Sequence, residues 1–217
     1  MSLSEKALKI KEYTLALMGS APQEEKERAL LFAPALAALY GAVLKLKPHE
    51  PDFEDRDRLI MGSVPCRAAH WAALAEKGFF PAEKLSELCA EGNVPGEDYV
   101  VDIPGRGLAI AVDSALKARN DIKIYRSFLL IDEADCLRGA LWESAIVASE
   151  NMLDDPVVIL CRPAGDILPG ADNICAKFSA FGFDTLSVDG SNPDAIALSL
   201  LLPRRSHKPL FVCCDVK

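Results

Sequence analysis

The hydrophobic positions change their period near the middle of the chain. Early on, Leu3, Ala7, Ile10 and Leu17 recur at helical spacing from Ser4 to about Met18, and Gly19 ends the run. A second helix is predicted from about Gln23. It opens with the acidic string EEKER and runs on through LLFAPALAALYGAVLKL to Pro48, with Pro34 bending or breaking it. A third is predicted over 66–77, closed by Gly78, and Pro81 starts a short fourth. The stretch 91–107 holds four glycines and two prolines and reads as a loop or a set of turns. Beyond it come four short apolar runs at 127–131, 157–161, 185–188 and 210–214, separated by helical patterns at about 139–152, 171–181 and 193–202. Apolar runs alternating with amphipathic helices are the beat of βαβ units. The expected fold is therefore α/β, a parallel sheet with helices on both faces. One domain is expected over 1–217, with a helical layer at 1–95 and the parallel part at 96–217.

Composition narrows the function. The chain has 217 residues, 50% of them hydrophobic and 26% charged, which suits a packed domain and excludes disorder. Its net charge is −8, which argues against a broad electrostatic grip on nucleic acid. No apolar run reaches the roughly 18 to 20 residues of a membrane helix. The charged N-terminus lacks the apolar core of a signal peptide, so a cytoplasmic location is expected, with neither a nucleic-acid nor a membrane partner. Seven cysteines (Cys66, Cys89, Cys136, Cys161, Cys175, Cys213 and Cys214) include no CxxC pair, and most stand among aliphatic residues. They read as small buried thiols, not as a disulfide framework or a zinc site. The three histidines are His49, His70 and His207, a small stock for acid–base or metal chemistry.

Two strings carry candidate chemistry. Leu129-Leu-Ile-Asp132-Glu133-Ala-Asp135 resembles the acidic strand end of DEAD-type helicases, but the GxxxxGK[ST] phosphate loop which that reading requires is absent. What remains is three carboxylates at the carboxyl end of a parallel strand, where open α/β sheets bind ligands. The second string, Pro104-Gly105-Arg106-Gly107-Leu108, opens a helix. Glycines there let either an anionic ligand or a neighbouring element approach the backbone.

Order and spacing add a third signal. The segments Asp55-Arg-Asp-Arg58, Trp71 to Phe80, Pro95-Gly96, Gly105 to Val112, Gly139-Ala-Leu-Trp-Glu143, Phe181-Gly182, Val188-Asp-Gly190 and Lys208-Pro-Leu-Phe-Val212 resemble the N-terminal domain of transketolases, collinearly from about Tyr40 to Lys217. The resemblance implies the thiamine diphosphate-binding fold, with Mg²⁺ and thiamine diphosphate held between this domain and a pyrimidine-binding domain. It places the cofactor-binding positions at Gly105, Gly107, Asp132, Glu133 and Arg162, with Glu133 as the metal ligand. The family's second domain normally follows in the same chain, so this sequence is expected to supply half of a working site.

The resemblance is structural more than chemical. The family's Gly-Asp-Gly turn falls on Asp132-Glu133-Ala134, and its liganding Asn falls on Pro163. Asp132 adds a negative charge beside a diphosphate. Two like charges ~4 Å apart cost on the order of 4 kcal/mol at an effective dielectric of 20. If the chain is half of an active enzyme, Arg106 or Arg162 is expected to offset that charge. The family's Ser-Lys-Gly-His segment falls on Gly62-Ser63-Val64-Pro65, its Gly-His-Pro motif near Glu24-Glu25-Lys26, and its Ser-Thr-Gly-Ser-Leu on Val100 to Pro104. Gly139, Trp142 and Glu143 match a helix near the family's domain interface. No catalytic residue is nominated. The expectation is a transketolase-like subunit that has lost thiamine chemistry and serves as a scaffold or regulatory partner, in a homo- or hetero-oligomer with a pyrimidine-domain chain. The alternative is the N-terminal subunit of an active two-chain enzyme that transfers two-carbon ketol units between sugars.

Overall fold

The structure is a computed structural model that describes residues 1–62, 66–92, 94–101, 103–165, 168–203 and 206–217, without the side chains of Cys66 and Val100. Its centre is a six-stranded sheet, parallel throughout: β1 (Arg58–Met61), β2 (Tyr99–Val100), β3 (Ser127–Ile131), β4 (Val157–Pro163), β5 (Asp184–Asp189) and β6 (Leu210–Val216), in the order β2-β1-β3-β4-β6-β5. The registers are direct. Phe128 lies beside Val157, for example, and Val157 beside Leu210. Side chains alternate along each strand. Leu59, Met61, Phe128, Leu130, Val157, Ile159, Leu210 and Val212 therefore enter one core, while Ile60, Leu129, Ile131, Val158, Leu160 and Phe211 enter another. With both faces covered, the strands read as continuous apolar runs instead of alternating ones.

Helices α1 (Leu3–Met18), α3 (Ala33–Ala38), α4 (Cys66–Lys77) and α10 (Pro193–Leu201) cover the first face. Local chemistry sets their ends. Ser2 and Glu5 form a reciprocal capping box at the start of α1, and Asn192 caps α10 by accepting from Asp194 and Ala195. Helices α6 (Gly107–Asn120), α8 (Gly139–Glu150) and α9 (Ile174–Ala180) cover the second face. Its centre is aromatic: Phe178 stacks on Phe211 at 4.0 Å between centroids and meets Trp142 at 5.0 Å and Phe183 at 5.1 Å.

The predicted long second helix is three pieces. Helix α2 (Gln23–Leu30) stops, the chain turns at Leu31 and Phe32, and α3 begins with Pro34 in its first turn and runs into a widened π-type turn at Leu39–Val43. Proline fits a first turn because it has no N–H to lose there. The predicted fourth helix is a 3₁₀ turn at Ala82–Lys84 leading into α5 (Leu85–Glu91). The first half, expected to be helical, also supplies β1. That four-residue strand lies between β2 and β3 and was hidden by its shortness and by the charged DRDR string that runs into it. No helix among the described residues is long and apolar enough to cross a membrane.

Candidate functional site

The carboxyl ends of β3, β4 and β6 bring charged residues together. After Ile131 the chain enters α7 (Glu133–Cys136), with Asp132 as its N-cap. Asp132 Oδ1 accepts from the Ala134 N–H at 2.9 Å and the Asp135 N–H at 3.3 Å, and Asp135 Oδ2 accepts from the Asp132 N–H at 3.3 Å. The other oxygen of Asp132 pairs with the guanidinium of Arg28 at 2.5 Å. Arg28 arrives from α2, far away in sequence. The cation seen on Asp132 is Arg28, carried by α2, which the sequence did not suggest; Arg162 lines the same cavity, and Arg106 is exposed.

Glu133 is buried. Its Oε2 accepts from the Leu168 N–H at 3.2 Å, and its Oε1 has no hydrogen-bond partner and lies 4.0 Å from Arg162 Nη1. Burial raises the Glu133 carboxyl above its ordinary pKa, against the lowering pull of the Leu168 N–H and the Arg162 charge. Arg162 is shared, with its Nε donating to Asp215 Oδ1 at 2.7 Å. Between these groups lies a cavity of about 240 Å³, lined in part by Arg28, Leu31, Asp132, Glu133, Arg162 and Pro163.

Gly105 and Gly107 do different work. Gly105 has φ +86°, a region open to glycine, and its N–H donates to Asp135 Oδ1 at 2.7 Å. A Cβ at Gly107 would stand 2.6 Å from Leu129 Cδ1. The first glycine therefore serves the buried Asp135, and the second lets α6 approach β3. Asp135 is fully buried, and burial pushes its pKa up to about 6 even with the Gly105 N–H pulling the other way. Together with Gly62 it fills the crevice between β1 and β3, where the strand order reverses.

The five residues expected from the sequence thus separate into two places. Asp132, Glu133 and Arg162 meet at the cavity, while Gly105 and Gly107 lie under Asp135 at the switch point. Sequence reasoning missed Arg28, Asp135 as a double acceptor, and Asp215. Asp135 had a signal, the D-x-x-D capping-box spacing from Asp132. The matches at Ser63, Val64, Pro65 and Asp102 lie outside the described residues. Trp142, matched to an interface helix, turns inward, donating from Nε1 to the Cys136 carbonyl at 3.0 Å and stacking on Phe181. His70 is fully buried and bonded to the Tyr40 hydroxyl at 2.7 Å, while His207 pairs with Asp154 at 3.1 Å, away from the strand ends. Among the described cysteines none is disulfide-bonded, but Cys89 and Cys175 are only partly buried.

Proteins similar to this chain include transketolase subunits, and transketolases share its fold. The chain is 28% identical over 229 residues to a 6-deoxy-6-sulfo-D-fructose transketolase subunit from a Clostridium species, an overlap of 98% of this chain and 83% of that protein. It is 26% identical over 176 residues to an apulose-4-phosphate transketolase subunit of Phocaeicola vulgatus, covering 74% of this chain and 63% of the relative. The transketolase of Leishmania mexicana superposes with a TM-score of 0.83 at 19% identity over 99% of this chain, and that of Campylobacter jejuni with 0.81 at 21% over 98%. The chain spans about a third of those two structures, 36% and 37%. No family model matches the chain.

Proposed function

Because the chain is a transketolase-type N-terminal domain, we propose that it is a cytoplasmic subunit which has lost thiamine diphosphate chemistry and acts as a scaffold or regulatory partner for a separate pyrimidine-domain chain. One observation carries this reading. Beside Glu133, the position that the resemblance gives to the metal ligand, this chain adds Asp132 and pairs it with its own cation, Arg28, at 2.5 Å. The donor set supports it. Octahedral Mg²⁺ needs several well-placed oxygens. Glu133 spends one oxygen on the Leu168 N–H, and Pro163 has no side-chain donor atom. Among the described residues no group of three His, Cys, Asp or Glu side chains converges as a metal site. These residues do not fit the cofactor's metal.

The names of the relatives support the partner half of the proposal, since two are called transketolase subunits. The second reading is the N-terminal subunit of an active two-chain enzyme, with thiamine diphosphate and Mg²⁺ bound at Glu133. It is favoured by the buried Glu133 Oε1, which lacks a hydrogen-bond partner.

Native mass spectrometry of the tagged chain, isolated gently from its own host, separates the two. The expected result is a complex carrying the mass of a second chain and no thiamine diphosphate. A complex that contains the cofactor and Mg²⁺ overturns the first reading in favour of the second, and a bare monomer overturns both. Thermal unfolding of the isolated complex with added cofactor provides the second readout. Binding at 100 times Kd would add about 2.7 kcal/mol, so an unchanged Tm is expected and a rise of about 5 °C or more refutes the proposal.

A further inference from the structure

Strand β6 carries Cys213 and Cys214 side by side, and alternation sends them to opposite faces: Cys214 into the first core, Cys213 into the second beneath α9. Helix α9 turns Ile174 and Phe178 inward, which leaves Cys175, in its first turn, at the margin between core and solvent. Three contacts fix what Cys175 meets there. Its Sγ lies 3.6 Å from the Ser187 hydroxyl, and Ser187 is the register partner of Cys213 across β5 and β6. Cys175 also packs against the core cluster that holds the fully buried Cys213. Cys213 Sγ also points to Asp215 Oδ1 at 3.8 Å, the same oxygen that receives the Arg162 guanidinium. One thiol is thus open to a reagent, and the second stands behind it with a carboxylate beside its proton.

We propose that Cys175 and Cys213 form a thiol modification site, in which Cys175 exchanges with a low-molecular-weight disulfide and Cys213 then closes an internal Cys175–Cys213 bridge. In the first step the Cys175 sulfur attacks one sulfur of the small disulfide. That S–S bond breaks, and one small thiol leaves with the proton that Cys175 gives up. In the second, the Cys213 proton passes toward Asp215, the Cys213 sulfur attacks the Cys175 sulfur, and the second small thiol departs with that proton. Two protein thiols are oxidised and one small disulfide is reduced to two thiols, so atoms and electrons balance. The electrostatics favour this order. The neighbouring Cys213 thiol first, then Ser187 and the Arg162 charge, pull the Cys175 thiol below its ordinary value against its partial burial, while the Cys175 neighbour and burial push Cys213 up. Cys175, the reachable thiol of the two and the one whose surroundings favour the thiolate, attacks first. Cys89, also partly buried, is pushed up to about 11 by burial and supplies an internal comparison.

The test uses the reduced full chain, or its native complex, and oxidised glutathione as the probe at neutral pH. Intact-mass measurement is expected to show the loss of two hydrogens, and peptide mapping a link between the peptides of Cys175 and Cys213. Cys213→Ala is expected to stall at one glutathionyl group on Cys175, and Cys175→Ser to take up none there. Cys213→Ser carries the same stall test if the alanine variant does not fold. Iodoacetamide is expected to label Cys175 at least about tenfold faster than Cys89 in the unoxidised protein. Three results overturn the proposal: both thiols surviving the treatment, a glutathionyl adduct that persists on Cys175 in the wild-type chain, or a bridge that involves another cysteine.

Discussion

His70 offers a perturbation whose sign and size both follow from burial. The ring sits in α4 with none of its surface exposed. One nitrogen bonds the Tyr40 hydroxyl at 2.7 Å, and Nδ1 has no partner. Charging it would place a cation in the apolar layer near Arg67, so burial first and that positive neighbour second push its pKa down to about 3. The unfolded chain binds the same proton near 6.5. Between those two values the unfolded state holds more protons than the folded state, and stability falls as pH falls. The contribution is complete above about 6.5 and is lost through the window down to about 3, at about 1.4 kcal/mol per pH unit. Going from pH 6.5 to 5 therefore costs about 2 kcal/mol through this one ring. His70→Gln keeps an acceptor for the Tyr40 hydroxyl and removes the titration. Urea unfolding of both proteins from pH 7.5 to 5 is the assay. The wild type is expected to lose about 2 kcal/mol more than the variant over the acidic part of that range. Asp135, raised to about 6 by burial, works in the opposite sense, since it takes up its proton earlier in the folded state. It is common to both proteins and cancels in the difference. Parallel pH profiles for the two proteins would refute the argument, because they would mean that the folded state accommodates a charged ring at this position.

Three further outcomes are expected. Phe178→Ala removes a fully buried ring from contact with Phe211, Trp142 and Phe183 and should cost about 3–5 kcal/mol, seen as a Tm drop on the order of 10 °C, while a drop under 3 °C would mean that the aromatic cluster closes over the gap. A double-mutant cycle of Arg28→Ala and Asp132→Ala should give a coupling below about 1 kcal/mol, because the Arg28 side chain is 41% exposed and solvent screens the pair. A coupling well above that would show the pair to be more shielded than its exposure implies. If Asp132 and Pro163 are what exclude the family's cofactor, Asp132→Gly combined with Pro163→Asn should create a Tm rise with thiamine diphosphate and Mg²⁺ that the wild type lacks. Losing the Asp132 cap to glycine costs only a few tenths of a kcal/mol, so an absent response would point to the backbone and to Arg28 and not to a collapsed α7.

Much of the fold is written in local pattern. The runs beginning at Ser127, Val157 and Leu210 are strands because an unbroken apolar string satisfies both covered faces of a parallel sheet, and Gly78 ends α4 where the chain needs φ +91°. Such features depend on neighbours along the chain, so they can be read without coordinates. The sequence also determined that Asp132, Glu133 and Asp135 stand at a strand's carboxyl end, since the strand itself is legible. What it did not contain is which cation meets them. Arg28 lies in a charged string that looks like an exposed helix start, and only the break at Leu31–Phe32 and the packing of α2 across the strand ends bring it to Asp132. The pairing of Arg162 with Asp215, the bonding of Gly105 to Asp135 and the meeting of Cys175 with Ser187 beside Cys213 are likewise contacts between separate segments. Periodicity reports which face of an element is buried. The partner across that face is decided by the crossing of helices over the sheet, where charge pairs and thiol contacts depend on a few ångströms that no local spacing encodes.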